Sequence, residues 1–366
     1  YKFITPPGIK IVTNRKPDSP TASFRYKDAD LLLFYVDFMC NFPPEIKLGR
    51  YVTAIEHGKA FCFEQEFLGK RISIYIEGLE TKPTKLYISN YNNVLKIPLP
   101  MRDLVRLEDL VSSVLLVKAI QRGWLLAHGA SLFSEQYGGI LATAYPDTGK
   151  TTTVYLLSQL KGFLPLSDDL TWISENGELI GEGVGSLSIY SLAELKAFHK
   201  YVKFVKARIA LSRLLRHAYY LPYAPEFLSK LADKLTTLRS PSPNRKILES
   251  PRSKYKCNHI FILEQGKESL KEIDRDLAAK KILEICRREH HFLNHNFILS
   301  TYSYLNDNFS LEAVYRERER IIRDFTHKVW SVHIIRAPNP RDFCKVNYPC
   351  SRKDVSQSVK QCVLFQ

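Results

Sequence analysis

Residues 144–153, AYPDTGKTTT, end in a glycine, a lysine and threonines in the order of a phosphate-binding loop. Such a loop works because successive backbone N–H groups at a helix N-terminus converge on phosphate oxygens, while a lysine neutralises the β/γ charge and a hydroxyl reaches Mg2+. Gly149, Lys150 and Thr151 fill three of the four diagnostic positions, with Thr148 and Thr152 beside them as further nucleotide contacts. Ala144 stands where the first glycine is usual and Asp147 where a second is frequent. Alanine costs little if the backbone there is ordinary, and aspartate enters left-handed backbone at modest cost. The expected chemistry is nucleotide binding, and the other reading is a glycine-lysine-threonine run that merely starts a helix.

A second group is Ser167-Asp168-Asp169, with Asp168 placed 18 residues after Lys150. If a strand follows the loop's helix and lies beside the loop's own strand, these carboxylates reach the same sheet edge, where a metal ligand is needed. Two aspartates that only open a turn are the alternative.

These residues need a strand before the loop and a helix after it. YGGILATAY (137–145) reads as the strand, and GWLLAHGASLF (123–133) as a buried strand before it, with Gly138-Gly139 turning between them. TTTVYLLSQLKG (151–162) supplies an apolar helical face at Val154, Leu157 and Leu160, closed by Gly162. FLPLSDDLTWISENGELIGEG (163–183) then gives an apolar run, the two aspartates, a strand, an Asn176-Gly177 hairpin turn and a further strand.

In this order, LLAHGASLF, GGILATAYPDTGKTTT and FLPLSDDLTWI resemble the catalytic domain of the HPr kinase/phosphorylase superfamily. That pattern is a histidine-small-small strand, a glycine-rich loop ending in GK[ST], and paired acidic residues after an apolar run. ATP-dependent phosphoenolpyruvate carboxykinases are similar in the loop and the acidic pair. The resemblance covers residues 120–190 well, extends more weakly to about 340 and does not reach residues 1–100. It implies ATP and Mg2+ as cofactors, Lys150 on the β/γ-phosphates, Thr151 on Mg2+ and Asp168 as the base that takes the proton of a substrate hydroxyl. Asp169 becomes the metal-side carboxylate, and His128 tunes or shares the proton, although on residue type alone His128 reads equally as a core histidine. The family's Glu-x-Arg-Gly-x-Gly segment aligns with GEGVGSL (181–187) at Glu182 and Gly185 but not at the arginine. Glu182 is therefore a second metal candidate, while neither phosphorylase activity nor HPr as substrate follows.

Elsewhere, residues 1 to about 20 are Pro-rich and read as an irregular arm, and residues 22–100 as alternating strands with hairpin tips at Gly58-Lys59 and Gly69-Lys70. Residues 102–122 and 192–220 have helical spacing, 239–256 read as a basic loop, and HIFILEQG and WSVHIIRAP as strands. Charged helices are expected over 269–289 and 311–325, with a polar tail after Phe343. The expected fold is α/β (α+β): a β-rich region at 1–115, a P-loop domain with a mixed sheet at 116–343, and a tail at 344–366.

The chain has 366 residues, 45% apolar and 25% charged, a globular composition with a net charge of +15. That balance favours anionic partners of some kind, whether nucleotides, phosphorylated metabolites, nucleic acid or an acidic protein. The kinase resemblance adds a hydroxyl-bearing acceptor, which the charge suits if it is anionic, and homo-oligomerisation is left open. Nucleic acid is disfavoured, because the only basic stretch with interleaved aromatics, 196–220, has core-like apolar spacing. No apolar run is long enough for a membrane helix and no apolar region follows Lys10, Arg15 and Lys16, so neither a membrane span nor an export signal is expected. The seven cysteines are dispersed without a C-x-x-C pair, which predicts free thiols in a reducing cytoplasm. The leading functional expectation is a kinase acting on a hydroxyl of a small metabolite or of a protein or peptide serine. A non-catalytic nucleotide-sensing module is the alternative, and carboxykinase activity is disfavoured because the chain is short for it.

Overall fold

The computed structural model describes residues 1–14, 22–36, 46–47, 52–57, 60–67, 70–89, 107–146, 148–158, 162–181, 253–290, 293, 296–339 and 342–344. The protein is mixed α/β, with N-terminal strands and mixed sheets, and divides into two compact units. The first contains Tyr1–Leu115 and His295–Ser310, together with Ser188–Lys246, which lies outside the described residues. The second contains Leu116–Leu187, Ile247–Asn294 and Leu311–Gln366. The expected helix at 192–220, most of the basic loop at 239–256 and the tail from 345 onward also lie outside the described residues.

In the first unit, β1 (Lys2–Thr5), β2 (Ile9–Thr13), β3 (Leu31–Val36), β4 (Ile46–Lys47), β5 (Val52–His57), β6 (Ala60–Phe67), β7 (Lys70–Glu77) and β8 (Thr84–Ser89) form one sheet in the order β1-β2-β3-β8-β7-β6-β5-β4. Alternate residues supply its core: Phe61 and Phe63, Ile74 and Ile76, and Leu86 and Ile88 are all buried. The described part of the N-terminal arm, residues 1–14, is not irregular. β1 and β2 pair antiparallel with Thr5 opposite Ile9, because the prolines sit in the turn, where no ladder N–H is required, and Ile9 and Ile11 are buried.

α1 spans Leu107–Ile120 and buries Leu110, Val114, Val117 and Ile120. A helix that the sequence did not announce, Phe297–Leu305, belongs to the first unit although it falls within the stretch 116–343 expected to be one domain. Asn296 caps it, its side chain accepting from Leu299 N at 3.0 Å. The reason for the reassignment is Tyr302, fully buried and edge-on to Phe61 at 5.1 Å between ring centroids. Its hydroxyl accepts from Leu79 N at 3.3 Å and donates to Glu80 Oε2 at 3.0 Å. Burial pushes the Tyr302 phenol up to about 12.

In the second unit β9 (Trp124–Ser134) is the organising strand. On one edge β10 (Gly138–Thr143) pairs with residues 129–134 of β9. On the other, β11 (Phe163–Ser167) pairs with residues 131–134 and β12 (Leu170–Ser174) with residues 124–128. β11 and β12 are thus one long antiparallel partner, bent at Asp168-Asp169 and carrying a bulge between Pro165 and Ser167. From β12 the pairings pass to β13 (Glu178–Gly181), then to β14 (Tyr255–Gln265), which runs parallel to β10 and so closes a ring. β14 also pairs in parallel with β16 (Ser331–Ala337), whose other edge carries β15 (Ser269–Glu272).

α2 (Lys150–Ser158) follows β10, and α3 and α4 can now be named as Arg275–Glu289 and Phe297–Leu305, with α5 as Leu311–Lys328. Residues 269–289 are therefore not one helix. Ser269–Glu272 extend the sheet, and Asp274 starts α3 by accepting from Asp276 N at 2.8 Å and Leu277 N at 3.2 Å.

The thiol expectation also needs correction. Cys62 is disulfide-bonded, to a partner outside the described side chains, whereas Cys257 and Cys286 are buried thiols that form no disulfide. Dispersed spacing does not reveal which cysteines a fold brings together. No helix among the described residues is long and apolar enough to cross a membrane.

Candidate phosphate-binding site

The site is assembled on the middle of β9 by register. At the end of β10, Thr143 lies opposite Gly129, so the loop that begins at Ala144 leaves the sheet beside Gly129 and His128. At the start of β12, Leu170 lies opposite His128, and Gly129 N donates to Asp169 O at 2.8 Å, which brings the paired aspartates to the same two residues from the other edge. Gly129 is tightly enclosed here: a Cβ would lie 2.8 Å from Leu141 Cδ1 and 3.2 Å from Ala142 O, so a side chain would require both to shift. Thr143 Oγ1 donates to His128 O at 2.8 Å, and Thr171 Oγ1 donates to Gly129 O at 2.7 Å and accepts from Ser131 Oγ at 2.9 Å, so buried hydroxyls from both neighbours hold the strand.

Lys150 opens α2 and is buried. Its ammonium donates to Ala144 O at 3.0 Å and Tyr145 O at 3.3 Å and lies 2.6 Å from His128 Nε2. An ammonium has three donors and no acceptor, so Nε2 accepts and the neutral ring carries its proton on Nδ1. Nδ1 in turn is 3.5 Å from Asp169 Oδ1, an exposed carboxylate beside a ring that is itself buried. Lysine, imidazole and carboxylate are thus in line. His128 is the partner of the loop's lysine rather than an isolated core histidine.

The loop's departures from glycine have separate explanations. Ala144 is buried in a cluster with Ala142, Leu263, Ile335, Ala337 and Phe343, where a methyl group has neighbours to pack on. Gly149 has φ +117°, outside the range that side-chain-bearing residues adopt readily, so glycine is required at that position. Its carbonyl accepts from Thr153 N and Thr153 Oγ1, both at 2.9 Å, which anchors the first turn of α2. Thr148 N donates to Tyr145 O at 3.4 Å, and Thr152 is half-buried on the first turn. Asp168 is half-buried beside the exposed Asp169. Asp147, the side chain of Thr151 and Glu182 lie outside the described residues.

One side chain at the loop had no sequence signal. The guanidinium of Arg288, in the last turn of α3, sits 5.7 Å above the Tyr145 ring. Only the packing of α3 could reveal it. Among the described residues no three His, Cys, Asp or Glu side chains group as a metal site. No protein-family model matches the chain, and no match is found among curated proteins.

Proposed function

We propose that this chain is an ATP- and Mg2+-dependent kinase that transfers the γ-phosphoryl group to a hydroxyl of an anionic small molecule or of a protein or peptide serine. The observation that carries the reading is the alignment of Lys150, His128 and Asp169 across the middle of β9, with Lys150 at the start of α2. A lysine at a helix N-terminus whose donors rest on two loop carbonyls and one imidazole can exchange these for phosphate oxygens without leaving its place.

In that exchange Lys150 binds and orients the β/γ-phosphates, and His128, no longer tied to the ammonium, is able to accept or pass a proton at Nε2. Asp168 accepts the proton of the acceptor hydroxyl as its oxygen attacks phosphorus and the bond to the leaving ADP oxygen breaks. Magnesium on a nucleotide takes one or two protein carboxylates besides phosphates and water, roles that Asp169 and Glu182 would fill, with Thr151 as the hydroxyl ligand. When bound, the ion neutralises charge on the phosphates. The fold of the second unit is read as HPr kinase-like on the same grounds.

The test is ADP release by the full chain with ATP and Mg2+ across a panel of hydroxylated metabolites and serine peptides, with Lys150→Ala and Asp168→Asn beside it. Turnover in the wild type alone supports the reading. Equal turnover in Lys150→Ala overturns it, and nucleotide binding without turnover on any acceptor points instead to the nucleotide-sensing module.

A further inference from the structure

The last turn of α3 carries two neighbouring arginines with different surroundings. The helix is fixed by Ala278, Ile282, Ile285 and Cys286, all buried, which leaves Arg287 and Arg288 exposed. Arg287 is neutralised twice, by Glu284 Oε1 at 2.9 Å and Glu319 Oε1 at 2.6 Å. Arg288 has no hydrogen bond or ion pair among the described residues, and its guanidinium rests on the Tyr145 ring. Tyr145 is the second residue of the loop, half exposed, and its carbonyl accepts from Lys150. A single loop residue therefore holds one cation on its carbonyl and another on its ring.

We propose that Arg288 is the second cation of this site and binds the outermost phosphate of a nucleoside triphosphate, sharing it with Lys150, which bridges the β- and γ-phosphates. This rests on the nucleotide reading above. A guanidinium over an exposed ring is held weakly, whereas a planar fork on phosphate oxygens makes charge-assisted, bidentate hydrogen bonds, so exchanging the first for the second is favourable. Phosphoryl transfer concentrates charge on the outermost phosphate, and an arginine supplied by the same chain is one physical solution to that charge. Lysine at this position would keep the charge but lose the fork and most of the stacking.

The experiment is calorimetric titration of the full chain with ATP and with ADP, each with Mg2+, in wild type, Arg288→Gln, Arg288→Lys and Arg287→Gln. Arg288→Gln is expected to weaken ATP about tenfold while leaving ADP within roughly twofold, with Arg288→Lys between. Arg287→Gln removes the same net charge one residue away and is expected to change neither. All these side chains are exposed, so the variants keep the fold, and unchanged thermal melting checks this. ATP and ADP weakened equally, or an effect matched by Arg287→Gln, overturns the role of Arg288 and leaves the nucleotide reading intact. A wild-type chain that binds neither nucleotide overturns both.

Discussion

Lys150 Nζ lies 2.6 Å from His128 Nε2, and the opposite nitrogen of that ring faces Asp169. The loop's lysine is therefore oriented from the adjacent strand, not by the loop alone. Replacing His128 by alanine removes one of the three acceptors recorded for the ammonium. His128→Ala is expected to weaken ATP binding about tenfold through a less ordered Lys150, whereas Lys150→Ala, which deletes the charge, costs about 2–3 kcal/mol or more of binding. Titration of both variants with ATP and Mg2+ separates the two effects. Identical losses would mean that His128 does more than hold the lysine.

Gly149 has φ +117°, and alanine there is forced into backbone that L-residues avoid. Gly149→Ala is expected to cost about 1–2 kcal/mol of stability, or to tilt the first turn of α2 and lower nucleotide affinity. Urea denaturation and ATP titration on the same sample check this, and a variant unchanged in both would contradict the geometry of the loop.

Tyr302 joins α4 to the N-terminal sheet through its ring and its hydroxyl. Tyr302→Phe keeps the contact with Phe61 but leaves Leu79 N–H without that acceptor and Glu80 without that donor, and is expected to cost about 1 kcal/mol. Tyr302→Ala removes the buried ring as well and is expected to cost about 3–5 kcal/mol. Chemical denaturation midpoints should fall in that order.

His259 on β14 sets a pH dependence. Its Nδ1 is 2.8 Å from Ser331 Oγ, Trp330 meets it edge-on, and burial, with repulsion from His333, holds its imidazole down to about 4. His333 is also lowered by burial, with Glu272 opposing the shift. Because the folded state disfavours the charged ring, the stability is complete above the ordinary histidine value near 6.5. It is lost progressively as pH falls from there towards 4. His259→Asn should flatten the fall in urea midpoint between about pH 6.5 and pH 4.5 relative to wild type. Parallel curves would show that His259 does not carry it.

The parts of the site that lie in one continuous run were legible. LLAHGASLF, the GKTTT turn and the SDD segment are strand, loop-helix and bent strand, because apolar runs, Gly149 and the hairpin turn at Asn176-Gly177 are local signals. The hydrogen bond from Gly177 N to Ser174 O at 3.0 Å bears out that turn. Less legible was what depends on partners distant in sequence. β1 and β2 flank Pro6 and Pro7, which suggest coil, yet pairing buries Ile9 and Ile11. α4 mixes aromatic and β-branched residues with leucines and serines in a way that masks a helical period, and only the Asn296 cap marks it. The approach of His128 to Lys150 follows from Thr143 standing opposite Gly129, a register that no local pattern specifies.

The bulge between Pro165 and Ser167 acts as a phase setter for the aspartates. Side chains along a strand alternate, so a single extra residue upstream sets the phase in which Ser167 enters the bend, while Asp169 is held by its own bond from Gly129 N. Gly181 of β13 packs against the carbonyl of Leu166 so closely that a Cβ could not fit, which locks the extra residue in place. Deleting Leu166 would keep the composition of the acidic pair and shift the approach to Asp168 while Gly129 still holds Asp169, a change of wiring made without touching either carboxylate.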